Sequence, residues 1–226
     1  LKEMQLFLTG DSTMSDYESE VYPRMGWGQV LSNYVDASIL VRNHATSGRS
    51  TKSFTDENRW EHAEEQFTPG DIVVIQFGHN DQKEDVERHT DAFSSYQDNL
   101  RFFIDRARSK DVEPILLTSV ARRHFDKKGL LEETHGDYPS AVRQVAVEEG
   151  VPFVDMERLT MAYLQELGDE KSKELFMWVK PAEFGAYPEG EQDNTHFREE
   201  GAKKIAEIFV SELKRLKHPL AERIID

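Results

Sequence analysis

Five short apolar runs recur along the chain, spaced widely enough for a helix to fit between most of them. They are residues 4–8 (Met-Gln-Leu-Phe-Leu), 39–41 (Ile-Leu-Val), 72–77 (Ile-Val-Val-Ile-Gln-Phe), 114–119 (Pro-Ile-Leu-Leu-Thr-Ser) and 151–154 (Val-Pro-Phe-Val). Each has strand length and is rich in β-branched or large apolar side chains. The third, with four β-branched residues in succession, is the most strand-like. Other stretches carry apolar residues at helical spacing. Trp27, Val30, Leu31 and Tyr34 predict a helix over 26–34, and Phe93, Tyr96, Leu100, Phe103, Ile104 and Ala107 mark one face of a long one. Ala141, Val142, Val145 and Ala146 predict another, and Met156, Leu159, Tyr163, Leu164 and Leu167 a further one. Ala202, Ile205, Ala206, Phe209, Val210, Leu213 and Leu216 define the last. The Gly- and Pro-containing stretch before Asp193 reads as irregular.

Strands alternating with amphipathic helices predict a parallel sheet covered on both faces. No long polar linker and no internal repeat interrupts the 226 residues, so one α/β domain over 1–226 is expected. Parallel strands need crossover connections, which place the loops after all five strands at one edge. That edge would carry Ser12, Gly48, Asn80, Arg122-Arg123-His124 and Asp155.

Composition narrows the chemistry. Cysteine is absent, which removes disulfides, thiolate metal sites and a cysteine nucleophile. Asp and Glu number 43 against 28 Lys and Arg, and the formal charge of -15 opposes non-specific binding to nucleic acid or an anionic membrane. No apolar run approaches the ~18 residues of a membrane helix. Leu1-Lys2-Glu3 leads straight into the first strand, so the chain reads as a soluble, cytoplasmic protein, and a processed secreted chain would read the same. A monomer without metal or cofactor is expected.

Ser12, in Thr9-Gly10-Asp11-Ser12-Thr13-Met14, sits where the first strand ends in a loop. It is a candidate nucleophile and equally an ordinary turn or capping residue. A serine nucleophile needs a base. Of eight histidines the best placed is His196, in Asp193-Asn194-Thr195-His196-Phe197, where Asp193 can hold one ring nitrogen and leave the other for Ser12. Capping or packing is the alternative for His196. A developing oxyanion wants fixed donors, and the backbone N–H groups of Ser12 and Gly48 with the Asn80 amide would serve; taken singly, Gly48 and Asn80 also suit turns. No pair of histidines has the His-x-x-x-His spacing of a helical metal site. The Gly-x-Ser-x-Gly elbow of the α/β-hydrolases is absent around Ser12.

Gly10-Asp11-Ser12, Gly48, Gly78-His79-Asn80-Asp81 and Asp193-Asn194-Thr195-His196 resemble, in that order, the four blocks of the SGNH (GDSL-type) hydrolases. Within that family the chain is most similar to the rhamnogalacturonan acetylesterases, through Gly10 to Met14, Gly48-Arg49-Ser50, Phe77 to Asp81 and Asp193 to His196. The resemblance spans nearly the whole chain. It implies a three-layer, flavodoxin-like fold with a five-stranded parallel sheet, a Ser12–His196–Asp193 triad, an oxyanion hole of Ser12, Gly48 and Asn80, and no metal. The activity it implies is removal of acetyl groups from pectic oligosaccharides. A lipid esterase or thioesterase, an esterase acting on another acetylated sugar, and a sugar-binding module without catalysis are the alternatives.

A galacturonate substrate and this protein are both anionic, so a local basic cluster is needed. Arg122 and Arg123, with Arg49 and Lys52 beside Gly48, are candidates to bind carboxylate or simply to balance the abundant acids. Trp178, Phe184 and Tyr187 either stack on sugar rings or pack a long loop.

Overall fold

In the computed structural model, which describes residues 3–226, the expected sheet is present. Strands β1 (Met4–Gly10), β2 (Ile39–Asn43), β3 (Ile72–Gln76), β4 (Glu113–Leu117) and β5 (Phe153–Val154) lie in the order β2-β1-β3-β4-β5. All four pairings are parallel. This is the flavodoxin-like order, whose switch point falls between β1 and β3 because the chain leaves β1 toward β2 and returns on the other side. The crevice opened there at the carboxyl ends of the strands is flanked by the loops that carry Ser12 and Asn80.

The inner strands β1, β3 and β4 are buried on both faces over most of their length, whereas the edge strand β2 exposes Leu40, and the alternation sorts the core into two layers. Leu6, Leu8, Ile72, Val74, Ile115 and Leu117 face a cluster with Trp27, Leu164 and Phe209, whereas Phe7, Val73, Ile75 and Leu116 face Trp60, Tyr96, Phe103 and Val142. Helices α1 (Thr51–Asp56), α2 (Arg59–Glu64), α3 (Ser95–Arg108) and α4 (Tyr138–Glu149) cover the second face. The first is covered by α5 (Met156–Leu167) and, beyond the short α6 (Asp169–Ser172), by α7 (Glu199–Arg215).

Two segments depart from the sequence reading. Residues 26–34 form no α-helix but two 3₁₀ turns, Trp27–Gln29 and Leu31–Tyr34. The Trp27 and Gly28 N–H groups donate to Thr13 and Met14 carbonyls, 3.0 and 3.1 Å away, so they are committed to the Ser12 loop. A side chain at Gly26 or Gly28 would collide with that loop's backbone, at 2.0 Å from the Ser15 oxygen or 2.5 Å from the Met14 oxygen. The apolar spacing there seats Trp27 against Phe209, ring centroids 5.1 Å apart. The stretch before His196 is likewise more ordered than expected. β6 (Phe176–Val179) and β7 (Glu191–Phe197) pair antiparallel as a separate two-stranded hairpin, joined by residues 180–190.

Candidate active site

Ser12 follows β1 on a tight turn fixed from beneath. The buried Asp11 carboxylate accepts the Thr13 N–H and hydroxyl at 3.0 and 2.9 Å, and the Asp11 carbonyl accepts the Ser15 hydroxyl at 2.8 Å. Tyr17 donates its hydroxyl to the Ser12 carbonyl at 2.7 Å. Burial raises the Asp11 carboxyl above its ordinary value, against the lowering effect of the Thr13 hydrogen bonds.

His196 reaches this turn from β7, its Nε2 2.9 Å from the Ser12 Oγ and its Nδ1 2.8 Å from Asp193 Oδ2. Asp193 is itself tied down, because its Oδ1 accepts the backbone N–H groups of Thr195 and His196 at 2.7 and 2.9 Å. Burial alone would raise its pKa, but the hydrogen bonds from the His196 ring and backbone prevail and lower it to about 2. An ionised Asp193 requires a proton on Nδ1, which leaves Nε2 bare to accept from the Ser12 hydroxyl. Two further contacts hold β7 in place: Asn194 accepts the Arg123 N–H at its carbonyl (2.8 Å) and the Trp178 indole N–H at its Oδ1 (2.8 Å).

The donors for an oxyanion stand on the opposite side. Neither the Ser12 nor the Gly48 N–H donates to any backbone or side-chain acceptor among the described residues. Gly48 has φ +79° with open space where a side chain would lie, so glycine is used there for its left-handed backbone and not for crowding. The Asn80 amide is oriented from both ends. Arg88 Nη1 donates to its Oδ1 at 3.2 Å, and its Nδ2 donates to the Arg49 carbonyl at 3.2 Å, with a second amide hydrogen left over. Asp81 joins the two loops by accepting the Thr51 N–H and hydroxyl at the start of α1 (3.0 and 2.5 Å) and the Thr90 hydroxyl (2.7 Å). Burial outweighs these hydrogen bonds and raises the Asp81 pKa to about 6.

Ser12, Gly48, Asn80 and His196 line one cleft of about 330 Å³. Arg24, Lys83, Arg88 and Arg122 also line it, and among the described residues no Asp or Glu does. Of the basic candidates read from the sequence, only Arg122 is among them. Arg123, its neighbour, is 5% exposed and points the other way, with Nη2 2.6 Å from Asp169 and its guanidinium 5.0 Å from the Trp178 ring centroid. Arg49 is committed to Glu57 at 2.8 Å, and the Lys52 ammonium donates to the Val86 carbonyl. Trp178 lies outside the cleft with two cations over its ring, Arg123 and Lys173 (4.4 Å), which occupy the surface a sugar would stack on. Tyr187 and Phe184 brace the 180–190 loop, through a 2.6 Å hydrogen bond to the Val21 carbonyl and an edge-on contact with Tyr22.

Sequence reasoning missed Tyr17, Arg24, Lys83 and Arg88 and gave His79 no role of its own. Lys83 and Arg88 follow Asn80 within a few residues, and that proximity was the available signal. His79 Nδ1 lies 3.1 Å from His135 Nε2, and His135 Nδ1 lies 3.5 Å from Glu157. Burial, foremost, pushes both rings below their ordinary value, and Arg122 adds to the effect, so His79 lines the cleft as a neutral ring with His135 behind it.

The GDSL-like lipase/acylhydrolase family matches residues 8–204. Rhamnogalacturonan acetylesterase RhgT of Bacillus subtilis is 43% identical over 99% of this chain and 95% of its own length. The same organism's YesY, named probable rhamnogalacturonan acetylesterase, is 36% identical over 97% of each chain. The crystal structure of Bacillus subtilis YxiM superposes with a TM-score of 0.83 at 26% identity, covering 97% of this chain and 58% of that one. A mutant of Axe2, a Geobacillus acetyl-xylooligosaccharide esterase, has the same fold with a TM-score of 0.66 at 21% identity, covering 94% of each chain.

Proposed function

The chain belongs to the GDSL-like lipase/acylhydrolase family and is an esterase, and from that premise we propose that it removes acetyl groups from rhamnogalacturonan oligosaccharides. The observation that carries this reading is the cleft around Ser12, lined by four cations and no carboxylate in a protein whose formal charge is -15. Such a cleft suits an acidic saccharide. It does not suit a fatty acyl chain, since Tyr17 is the only large, partly apolar side chain among its lining residues.

In the proposed mechanism the Ser12 Oγ attacks the acetyl carbonyl carbon as His196 Nε2 takes its proton. Asp193, ionised, steadies the imidazolium that forms. The carbonyl oxygen becomes an oxyanion held by the N–H groups of Ser12 and Gly48 and the free amide hydrogen of Asn80. The tetrahedral centre collapses, the C–O bond to the sugar breaks, and the proton on His196 passes to the departing sugar oxygen. A water molecule then gives a proton to His196 and adds to the acetyl-enzyme, and collapse releases acetate and returns the proton to Ser12 Oγ.

Acetate release from acetylated rhamnogalacturonan, xylan and chitin oligosaccharides tests the substrate. The highest kcat/KM is expected on rhamnogalacturonan, and a preference for xylan or chitin would overturn the assignment.

A further inference from the structure

Arg24 and Arg88, two of the four cations in the cleft, already have acidic partners. Arg24 lies 3.1 Å from Glu191 and 3.4 Å from Asp193, and Arg88 lies 2.7 Å from Asp85. Arg122 and Lys83 make no ion pair among the described residues; Arg122 feels the charge of the buried Asp11 carboxyl, but no hydrogen bond joins the two, and burial pushes that carboxyl toward its neutral form. Arg122 is partly buried, and its Nη1 alone is anchored, donating to the Gln82 Oε1 at 3.0 Å and to the Thr134 carbonyl and hydroxyl at 3.1 Å each. All three acceptors are neutral. Its Nε and Nη2 make no hydrogen bond among the described residues, and these two nitrogens form the side-on fork that matches a carboxylate. Gln82, which anchors Arg122, also donates to the Thr134 carbonyl at 3.1 Å and immediately precedes Lys83, so the two unpartnered cations share one stretch of wall.

Withdrawing a guanidinium from water without a hydrogen-bonded counterion is unfavourable, and a chain with 43 acidic residues had ample means to supply one. We propose that Arg122 and Lys83 form a carboxylate subsite beside Ser12, which binds the carboxylate of a uronate at or next to the acetylated sugar. This rests on the acetylesterase reading and adds to it the group that selects the substrate. Arg122 supplies a planar fork fixed through Nη1, and Lys83 supplies a second, mobile charge. Arg88 and Arg24 serve the site differently, by holding Asn80 and the Asp193 end of β7.

The test compares kcat/KM on an acetylated oligosaccharide with free uronate carboxylates and on the same oligosaccharide with those carboxylates methyl-esterified. The wild-type protein is expected to favour the free acid by about tenfold or more, as a charge-assisted pair allows. That ratio should shrink with added salt. Lys83→Met should collapse it most of the way toward one; this side chain has no hydrogen bond to lose, so folding is not at stake. Arg122→Met should do the same, and Arg122→Lys should retain part of the preference. A ratio unchanged in Lys83→Met and Arg122→Met would overturn the subsite and assign both residues to the wall of the cleft. If the wild-type protein released no acetate from either oligosaccharide, the acetylesterase reading would fail separately. The subsite would then be judged by inhibition of p-nitrophenyl acetate hydrolysis by unacetylated oligogalacturonate. Inhibition that weakens in Lys83→Met supports it, and no inhibition overturns it.

Discussion

On the sheet side of the cleft, Asp11 and Asp81 are enclosed carboxyls, 1% and 0% exposed, that fasten the Ser12 turn and the start of α1. Burial raises the pKa of both. On the hairpin side, Asp193 is partly open, accepts hydrogen bonds from the His196 ring and two backbone N–H groups, and is lowered to about 2. The same side-chain type thus does two jobs. The sheet side is a scaffold that aims N–H groups at one point, and its acids are structural. The hairpin side is the proton-handling part, and its acid must stay charged to set the tautomer of His196.

The largest effect is expected where the two sides meet. Ser12→Ala should lower turnover by about 10⁴ to 10⁶ while leaving the unfolding midpoint near that of wild type, because a triad nucleophile acts as a unit with its base. Retention of a tenth of the activity would separate the two sides altogether. Asn80→Ala should cost about 3 kcal/mol of transition-state stabilisation, read as a fall in kcat with KM little changed. A change confined to KM would move Asn80 from the oxyanion to ground-state binding.

The two sides also differ in how far the sequence revealed them. β1 and β3 are buried on both faces, so Leu6 to Leu8 and Ile72 to Ile75 appear as unbroken apolar runs, and Ser12 and Asn80 could be placed at their ends. β7 is Glu-Gln-Asp-Asn-Thr-His-Phe, with only Phe197 buried; nothing in that pattern reads as a strand, and its pairing with β6 was missed. The cleft's charges were less legible still. Arg122 and Arg123 are neighbours in sequence, yet the first faces Ser12 and the second faces Trp178, a distinction set by side-chain direction on an irregular segment. Arg24 and Tyr17 come from a loop whose path depends on Gly26 and Gly28 packing under Met14 and Ser15.

Asp81 sharpens the contrast through pH. Its carboxyl titrates near 6 in the folded protein, against 3.8 for the ordinary group, so between these values the folded state holds a proton that the unfolded chain has released. Stability from this group is therefore highest below about pH 4 and falls as pH rises through 6. The urea midpoint of wild type minus that of Asp81→Asn should increase as pH is lowered from 7 to 5, and a difference independent of pH would remove the burial argument. The smallest effect is expected on the hairpin. Trp178→Phe deletes the 2.8 Å hydrogen bond to Asn194 and should reduce kcat only a few-fold, in line with about 1 kcal/mol for one neutral hydrogen bond. A loss as large as that of Asn80→Ala would show that the hairpin depends on this one bond to present His196.

Convergence of the sheet side and the hairpin side on one hydroxyl is tested most directly by titrating the protein with a p-nitrophenyl phosphonate ester and mapping the label by peptide mass spectrometry. One equivalent should abolish acetate release and reside on Ser12, with no labelling of Ser12→Ala; acetate release that persists with Ser12 fully labelled, or inactivation by a label on another residue, would contradict Ser12 as the nucleophile.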